Sequence, residues 1–253
     1  MSAIVPALIA ARLRALTPAR VGLGRTGVSQ QTGDLLAFQS AHARARDAVH
    51  AQLDPAEVAA AIAKITAAEV LCFHSQAADR ATYLQRPDRG RRLDAESRKA
   101  LAGFAEEHRQ RWDVVLVVAD GLSALAVERH AAAVIVQLWP RIAGWSIAPV
   151  CVVDQGRVAI GDEIGETLAA QLSVVLIGER PGLSSPDSLG AYITWQPRAG
   201  RTDAERNCVS NIRSEGLSYA EAATQIAHSL TEARRRQLTG VEFEQFRNTR
   251  RLS

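Results

Sequence analysis

The stretch Val114-Val-Leu-Val-Val118, followed at once by Ala119-Asp120-Gly121-Leu122-Ser123, decides the fold. Its first five residues are all apolar and mostly β-branched, which is typical of a strand buried on both faces of a parallel sheet. Asp120-Gly121 then predicts a turn, and the apolar spacing within Leu122–Leu138 predicts a helix. A buried strand that leads through a tight turn into a helix is the first half of a parallel crossover unit.

The same alternation of elements surrounds this stretch. Strands are predicted at Ser146–Val153, Val174–Ile177 and Ala191–Trp195, and helices from Asp94 to about Arg111, at Gly165–Leu172 and at Ser218–Leu238. Residues 91–253 are therefore predicted to form an α/β domain with a Rossmann-like, mostly parallel sheet flanked by helices.

Residues 1–90 are predicted to form a helical N-terminal region. Apolar residues recur at helical spacing within Leu35–Gln52. Asp54-Pro55 predicts the N-cap and first turn of a second helix to about Ala68, and more helix is expected as far as Gln85. The polar segment Arg86–Arg92 holds a proline and a glycine, so the boundary between the two regions is predicted there.

The composition is that of an ordinary globular protein. The 253 residues are 47% hydrophobic and 23% charged, which excludes wholesale disorder. No apolar run approaches the roughly 18 residues of a membrane span, and Met1–Pro18 lacks the basic start of a signal peptide. Cys72, Cys151 and Cys208 form no C-x-x-C pair. We therefore expect a cytoplasmic protein with reduced thiols.

The charge is concentrated in the C-terminal tail. Six arginines and two glutamates lie between Ala233 and Ser253, and the net charge of the whole chain is +3. The rest of the chain therefore carries a slight negative charge, which argues against a nucleic-acid-binding domain. A solvated or partner-contacting tail is the preferred interpretation, and a tail that binds nucleic acid is the alternative.

The glycines Gly22, Gly24 and Gly27 match the dinucleotide-binding pattern G-x-G-x-x-G. That pattern works only between a strand and a helix whose N-terminus receives the pyrophosphate. The residues before Gly22 are not strand-like, so a glycine-assisted bend is preferred over a nucleotide site.

Three segments follow the predicted strands and are candidates for ligand contact. They are Val118–Ser123, Arg157–Asp162 and Ile177–Leu183, and each contains a glycine. Ligands of open parallel sheets bind beyond the carboxyl ends of the strands. We expect either a pocket for a polar, amide- or hydroxyl-bearing ligand or a plain set of turns. Glu179 could equally be a salt-bridged surface acid.

A fourth segment, Arg206–Arg213, mixes small polar residues with two arginines. A nucleophilic cysteine needs a nearby base, and the nearest histidine downstream of Cys208 is His228. We therefore prefer a packing or ligand-contact role for Cys208. The six histidines show no zinc-binding spacing, and the sequence contains no D-x-H-x-x-G.

In their order and spacing, these motifs resemble the small (light) subunit of ethanolamine ammonia-lyase. The matching stretches, which span about Arg20 to Leu238, are Gly24–Gly27, Phe38–Val49, Val118–Ala124, Arg157–Asp162, Ile177–Leu183, Tyr192–Arg198 and Arg206–Arg213. The resemblance implies a lyase that converts ethanolamine to acetaldehyde and ammonia by radical chemistry with adenosylcobalamin.

The resemblance also implies a division of labour between two subunits. The substrate and the radical belong to a large barrel subunit, whereas the small subunit closes over the corrin and supplies no catalytic or metal-ligating residue. Three positions carry over as cobalamin contacts: Val158, Glu179 and Cys208. The cofactor is expected to bind base-on, because no histidine motif is present to displace its own base. Six small and six large subunits, and enclosure in a bacterial microcompartment, belong to the same expectation.

Two alternatives stay open from the residues alone. One is a nucleotide-dependent Rossmann oxidoreductase, which rests on the α/β half and the glycine motif. The other is a non-enzymatic binding module that uses its basic tail.

Overall fold

The computed structural model describes residues 7–17 and 19–241, and its main feature is a six-stranded sheet. The strands, in chain order, are β1 Arg25–Thr26, β2 Ser29–Gln30, β3 Val70–His74, β4 Trp112–Ala119, β5 Val150–Asp154, β6 Ala170–Gly178, β7 Leu189–Trp195 and β8 Arg206–Ile212. The large sheet has the order β3-β5-β4-β6-β7-β8. Its first four strands are parallel, and β7 and β8 are added antiparallel. The predicted α/β class with a mostly parallel sheet is confirmed, and its Rossmann-like character stays a prediction.

Helices cover both faces of this sheet. They are α1 Ala7–Leu16, α2 Thr32–His50, α3 Pro55–Thr66, α4 Arg80–Gln85, α5 Ala95–Glu107, α6 Ala124–Leu138, α7 Ile160–Thr167 and α8 Tyr219–Arg236. Short 3₁₀ helices lie at Arg89–Arg91, Trp139–Ile142 and Asp203–Glu205. Within residues 7–17 and 19–241, none of the helices has the length and apolar character that a membrane crossing requires.

The decisive stretch in β4 is buried on both faces, as its apolar run predicts. Val114, Leu116 and Val118 pack in a core with α3, α6 and α8. Val115 and Val117 point to the opposite face and pack in a second core with α5 and α7. Side chains alternate between the two faces of a strand, and helices cover both faces here. All five residues are therefore inaccessible to solvent.

The helix starts predicted from the capping residues Asp54 and Asp94 are confirmed. The Asp54 carboxylate accepts hydrogen bonds from the backbone N–H groups of Ala56 and Glu57, at 3.0 and 3.1 Å, with Pro55 in the first turn. Asp94 caps α5 in the same way. Such caps satisfy backbone donors that have no partner inside the helix.

The prediction of continuous helix towards Gln85 is wrong at Val70–His74, which form the edge strand β3. Ala67 adopts a left-handed conformation (φ 53°) and ends α3. The next residues then pair in parallel with Val150–Asp154 of β5. The sheet thus includes a strand that precedes Arg86–Arg92, and the division into residues 1–90 and 91–253 stays a prediction.

Three further boundaries differ from the sequence predictions. The helix predicted at Gly165–Leu172 lies earlier, as α7, because Ala169 (φ 51°) turns the chain into β6. The strand predicted from Ser146 begins at Val150. The segment from Arg206 to Ile212, which had no predicted secondary structure, is strand β8. β8 lacks the apolar run that identified β4 and β6, because several of its residues are exposed.

The glycine motif forms a bend, as predicted. Gly27 (φ +65°) lies in the turn that joins β1 and β2, a two-stranded antiparallel hairpin. Glycine adopts this conformation without steric cost. Because a hairpin replaces the strand–turn–helix of a dinucleotide site, the geometry gives no support to the oxidoreductase alternative.

The two ends of the chain lie partly outside the described residues. Arg234, Arg235 and Arg236 belong to the last turn of α8. The tail arginines Arg247, Arg250 and Arg251 and the N-terminal residues 1–6 lie outside, so the predictions on the basic tail and on the absence of a signal peptide stay predictions.

Edge strand β3 supports a prediction on pH. His74 Nε2 lies 3.5 Å from Asp154 Oδ2, and the hydrogen bond between them raises the pKa of His74 from 6.5 to about 9. A raised histidine pKa stabilises the fold fully below pH 6.5, and this contribution is lost as the pH rises through 9. We expect the Tm advantage of the native chain over His74→Gln to disappear between these pH values. The pair is half-exposed, so its contribution is about 1 kcal/mol or less, which is roughly 2–4 °C in Tm.

Thermal unfolding followed by circular dichroism at pH 6 and pH 9.5 measures this difference. His108→Gln is the matched control, since His108 has no carboxylate partner among the described residues. An equal Tm difference at both pH values would remove the His74–Asp154 pair from the account.

Candidate functional site

The three predicted strand-end segments meet at one edge of the sheet, as expected for parallel strands. They follow β4, β5 and β6, which are adjacent in the order β5-β4-β6. Leu122 N–H donates to the carbonyl of Gly178 at 2.9 Å, so the segments after β4 and β6 are in direct contact. A Cβ on Gly121 would lie 2.3 Å from that carbonyl oxygen, so only glycine permits this approach.

The segment after β4 is sealed inside the protein. Asp120 and Ser123 are both 0% exposed. Asp120 Oδ2 accepts a hydrogen bond from Arg80 Nη1 at 3.0 Å, and its Oδ1 accepts one from Gly156 N–H at 2.9 Å. Burial raises the pKa of Asp120 to about 7, against the opposing effect of Arg80. The polar groups of Val118–Ser123 are therefore used in hydrogen bonds within the protein, and this segment does not present them to a ligand.

Val158 lies in the turn after β5, immediately before α7. Its side chain is half-buried and packs against the apolar core beneath α5 and α7. The turn is held by its neighbour Arg157, whose N–H donates to the Gly90 carbonyl at 2.7 Å. The Arg157 guanidinium stacks on the Tyr83 ring at 4.4 Å. Val158 is thus presented on a fixed turn and keeps part of its surface exposed.

Glu179 follows β6 and is held by two donors. Its carboxylate accepts hydrogen bonds from Ser188 Oγ and, at 3.2 Å, from Asn211 N–H. The carboxylate has no ion pair with any described residue. The interpretation of Glu179 as a salt-bridged surface acid is therefore wrong: this half-buried acid is oriented by neutral groups, and acceptor positions remain on its oxygens.

Cys208 lies in the middle of β8, directly opposite Tyr192 of β7, and not in a loop. It is an exposed residue, and its sulfur accepts a hydrogen bond from the Tyr192 hydroxyl. Partial burial of the thiol is the main cause that raises the pKa of Cys208, and the Glu179 carboxylate raises it further. The thiol is therefore protonated at neutral pH, which does not suit a nucleophile.

The histidine nearest downstream of Cys208 lies on the wrong side of the sheet to act as its base. Cys208 and Tyr192 lie on the α5–α7 face of the sheet, whereas His228 belongs to α8 on the opposite face. β8 is an edge strand, so one side of its backbone has no neighbouring strand. What Cys208 offers is an exposed thiol and nearby backbone groups.

The structure brings the three predicted contact residues to one region. A Cβ on Gly161, in the first turn of α7, would lie 2.4 Å from Val175 Cγ2. Val175 pairs with Tyr192, and Tyr192 pairs with Cys208, so two strand spacings of about 5 Å separate Val175 from Cys208. The Glu179 carboxylate raises the pKa of both Tyr192 and Cys208, although burial is the larger cause for each.

A buried ion pair joins two of the segments that the sequence singled out. Arg206, at the start of β8, contacts the Asp162 carboxylate of α7 through two hydrogen bonds, of 2.7 and 2.6 Å. Arg206 also donates to Thr194 Oγ1 at 2.8 Å. Burial raises the pKa of Asp162, and Arg206 opposes this shift. The pair fixes α7, and with it the turn of Val158, against β7 and β8.

Sequence reasoning missed several residues that shape this region. Arg80 and Tyr83, both buried, support the turn of Val158 from α4, and Tyr192 separates Val175 from Cys208. The sequence signal that could have identified them is an arginine and a tyrosine three positions apart within Arg80–Gln85. Their side chains form hydrogen bonds with residues 31 to 75 positions away in the sequence, and only the fold brings them together.

Comparison with known proteins identifies relatives over nearly the whole chain. The family model described as ethanolamine ammonia-lyase light chain matches residues 9–244. The ethanolamine ammonia-lyase small subunit of Xanthomonas campestris pv. campestris is 58% identical over 236 residues, which are 92% of this chain and 86% of the relative. The same-named proteins of Ralstonia nicotianae and Azotobacter vinelandii are 58% and 54% identical, over 90% and 95% of this chain and 85% and 90% of the relatives.

Proposed function

Because the chain belongs to the ethanolamine ammonia-lyase light-chain family and is a small subunit of that lyase, we propose that it forms one wall of an adenosylcobalamin site. The other wall and the substrate site belong to the large subunit. The observation that carries the proposal is the placement of Val158, Glu179 and Cys208, which the family resemblance marks as cobalamin contacts, on one face of the sheet.

The chemistry of these residues fits a corrin. The rim of a corrin bears neutral amide side chains, which both donate and accept hydrogen bonds. Glu179 has free acceptor positions beside the bonds from Ser188 and Asn211. β8 offers backbone groups along its unpaired edge near Cys208, and Val158 offers an exposed apolar surface. In such a complex, amide N–H groups of the corrin rim would replace water at the Glu179 carboxylate, and the apolar ring edge would pack on Val158.

When bound, adenosylcobalamin supplies the radical that starts the deamination. The residues of this chain bind and orient it. Ser188 and Asn211 fix the direction of the Glu179 carboxylate, and Arg206 fixes α7 through Asp162. Such preorganisation lowers the entropic cost of binding. The sequence has no D-x-H-x-x-G, which supports a base-on cofactor.

The N-terminal region supplies the surface that we propose for the large subunit. Its exposed apolar side chains include Leu16 (83% exposed), Val28 (98%) and Leu36. Among the described residues of α2, only Ala41 and Ala48 are buried. Such exposed apolar surface is available for contact with another protein, provided that it forms a contiguous patch. A complex of six small and six large subunits, and enclosure in a microcompartment, remain part of this proposal.

Reconstitution tests the proposed function. We expect the purified chain to show no ethanolamine deamination with adenosylcobalamin, and activity to appear when the large subunit is added. The physical reason is that this chain is proposed to supply binding groups only. Acetaldehyde formation, coupled to an NADH-consuming dehydrogenase, measures the activity. Turnover by the isolated chain would contradict the proposal, and so would a large subunit that is fully active without it.

A further inference from the structure

The segment Arg89–Arg92 is packed tightly against the turn that presents Val158. The Gly90 carbonyl accepts a hydrogen bond from Arg157 N–H, the residue before Val158, and the Arg92 carbonyl accepts one from Gln76 N–H at 2.9 Å. Gly90 is buried, and a Cβ there would lie 2.8 Å from Arg157 Cγ and 3.0 Å from the Gln155 carbonyl. The backbone of this segment is therefore fixed beside the proposed cofactor contact.

Three guanidinium groups on this segment form no hydrogen bond or ion pair with the residues that the structure describes. They belong to Arg89, Arg91 and Arg92, which are all exposed. Arg89 lies close enough to Asp88 to help lower the pKa of that carboxyl, behind the larger effect of Arg86.

Three carboxylates near this segment are already engaged. Asp88 pairs with Arg86 at 2.8 Å, and Asp94 caps α5 through Ser97 N–H at 2.7 Å. Glu163 binds Arg98 at 2.7 Å and Leu93 N–H at 2.9 Å. Glu96, in the first turn of α5, is exposed and makes no ion pair with any described residue, so one carboxylate remains beside three arginines.

The positive charge continues beneath the surface. Arg80 and Arg157 flank the Tyr83 ring, at 4.7 and 4.4 Å. Arg80 Nη2 and Arg157 Nε are buried and have no hydrogen-bond partner among the described residues. Asp120 is the carboxylate that pairs with Arg80, and it balances one of these two cations. The corner therefore carries an excess of positive charge that suits an anion.

We propose that Arg89, Arg91 and Arg92 bind the phosphodiester of the cobalamin nucleotide loop. This inference rests on the proposed function and names the part of the cofactor that this corner holds. Cobalamin carries a single phosphodiester, between the corrin side chain and the ribose of its dimethylbenzimidazole, whereas the amides of the rim are neutral. Guanidinium groups match the oxygens of a phosphate with paired hydrogen bonds.

Two corrinoids distinguish this contact from any other effect. Cyanocobalamin contains the phosphodiester, and dicyanocobinamide lacks the whole nucleotide loop. The test compares the native complex of both subunits with a complex whose small subunit carries Arg89→Gln, Arg91→Gln and Arg92→Gln. We expect the Kd of cyanocobalamin to rise at least about tenfold and the Kd of dicyanocobinamide to change less than about twofold. Arg109→Gln, which removes an exposed arginine before β4 at the opposite edge, is the control.

A second measurement uses cyanocobalamin alone. Raising KCl from about 0.05 to 0.5 M should weaken binding to the native complex and leave the triple variant nearly unchanged, since salt screens exposed charges. Three results would each overturn the inference. The triple variant could bind both corrinoids equally more weakly, or it could keep both the Kd and the salt response of the native complex. It could also fail to assemble with the large subunit. A native complex that binds no cobalamin would instead contradict the proposed function itself.

Discussion

Asp162→Ala is expected to lower the free energy of unfolding by about 3–5 kcal/mol, because it leaves the buried Arg206 guanidinium without its carboxylate. Asp162 is 2% exposed, and both of its oxygens receive hydrogen bonds from Arg206. Thr194 Oγ1 and the Arg201 carbonyl also accept hydrogen bonds from Arg206 and are neutral. The remaining carboxylate, Asp203 at 3.5 Å, is exposed to solvent and therefore replaces Asp162 poorly. Equilibrium unfolding in urea, followed by circular dichroism, measures the loss.

Two further variants separate the buried charge from other effects. The double variant Asp162→Leu with Arg206→Met removes both charges and keeps apolar volume, so most of the stability should return. Asp47→Ala removes a carboxylate from the exposed pair with Arg46 and should change the stability by less than about 0.5 kcal/mol. A loss below about 1 kcal/mol for Asp162→Ala would show that this pair does not hold α7.

Glu179→Gln is expected to raise the apparent KM for adenosylcobalamin about tenfold or more in the reconstituted lyase, with a smaller effect on kcat. The substitution keeps the shape of the side chain and removes the charged acceptor. A hydrogen bond to a charged group contributes about 1.5–3 kcal/mol net, and about 1.4 kcal/mol corresponds to a factor of ten. Glu179 is proposed to contact the cofactor rim and not the reacting atoms. Its substitution should therefore change KM more than kcat.

Steady-state kinetics at varied adenosylcobalamin concentration measure this split. Glu215→Gln is the control, since the Glu215 side chain is exposed and pairs with Arg213. Cys208→Ser should have the milder effect if backbone groups of β8 make the contact, and a severe effect would assign the contact to the thiol. An unchanged KM in Glu179→Gln would remove Glu179 from the cofactor site.

Much of the fold could be predicted because its central strands carry a local signal. β4 and β6 are apolar at consecutive positions, so their sequences alone show burial on both faces. The starts of α3, α5, α6 and α8 coincide with capping residues that act within three positions of the helix start. Both signals operate over a few residues and need no knowledge of the tertiary structure.

The edge strands could not be predicted in this way. β3 and β8 are each paired on one side only, and their exposure alternates or varies along the strand. Val70–His74 follow a helix closely enough to be read as its continuation, and their strand state depends on pairing with β5, about 80 residues later. Pairing of this kind overrides local propensity.

The candidate site also has a part that local sequence could predict and a part that depends on the fold. The sequence correctly indicated that the segments containing Val158 and Glu179 share an edge of the sheet, because parallel strands end at a common edge. Their contact with a ligand stays a prediction. Sequence could not show that Val118–Ser123 is buried, since this depends on Arg80 and on close packing against Gly178. Nor could it show that Asp162 and Arg206 form one ion pair across 44 positions.

The position of the cofactor in the assembled lyase tests the central claim most directly. An experimental structure of this chain with its large subunit and cobalamin should place the corrin rim against Val158, Glu179 and the edge of β8 near Cys208. A corrin that contacts only the large subunit, with these three residues facing water or other protein surfaces, would contradict the account.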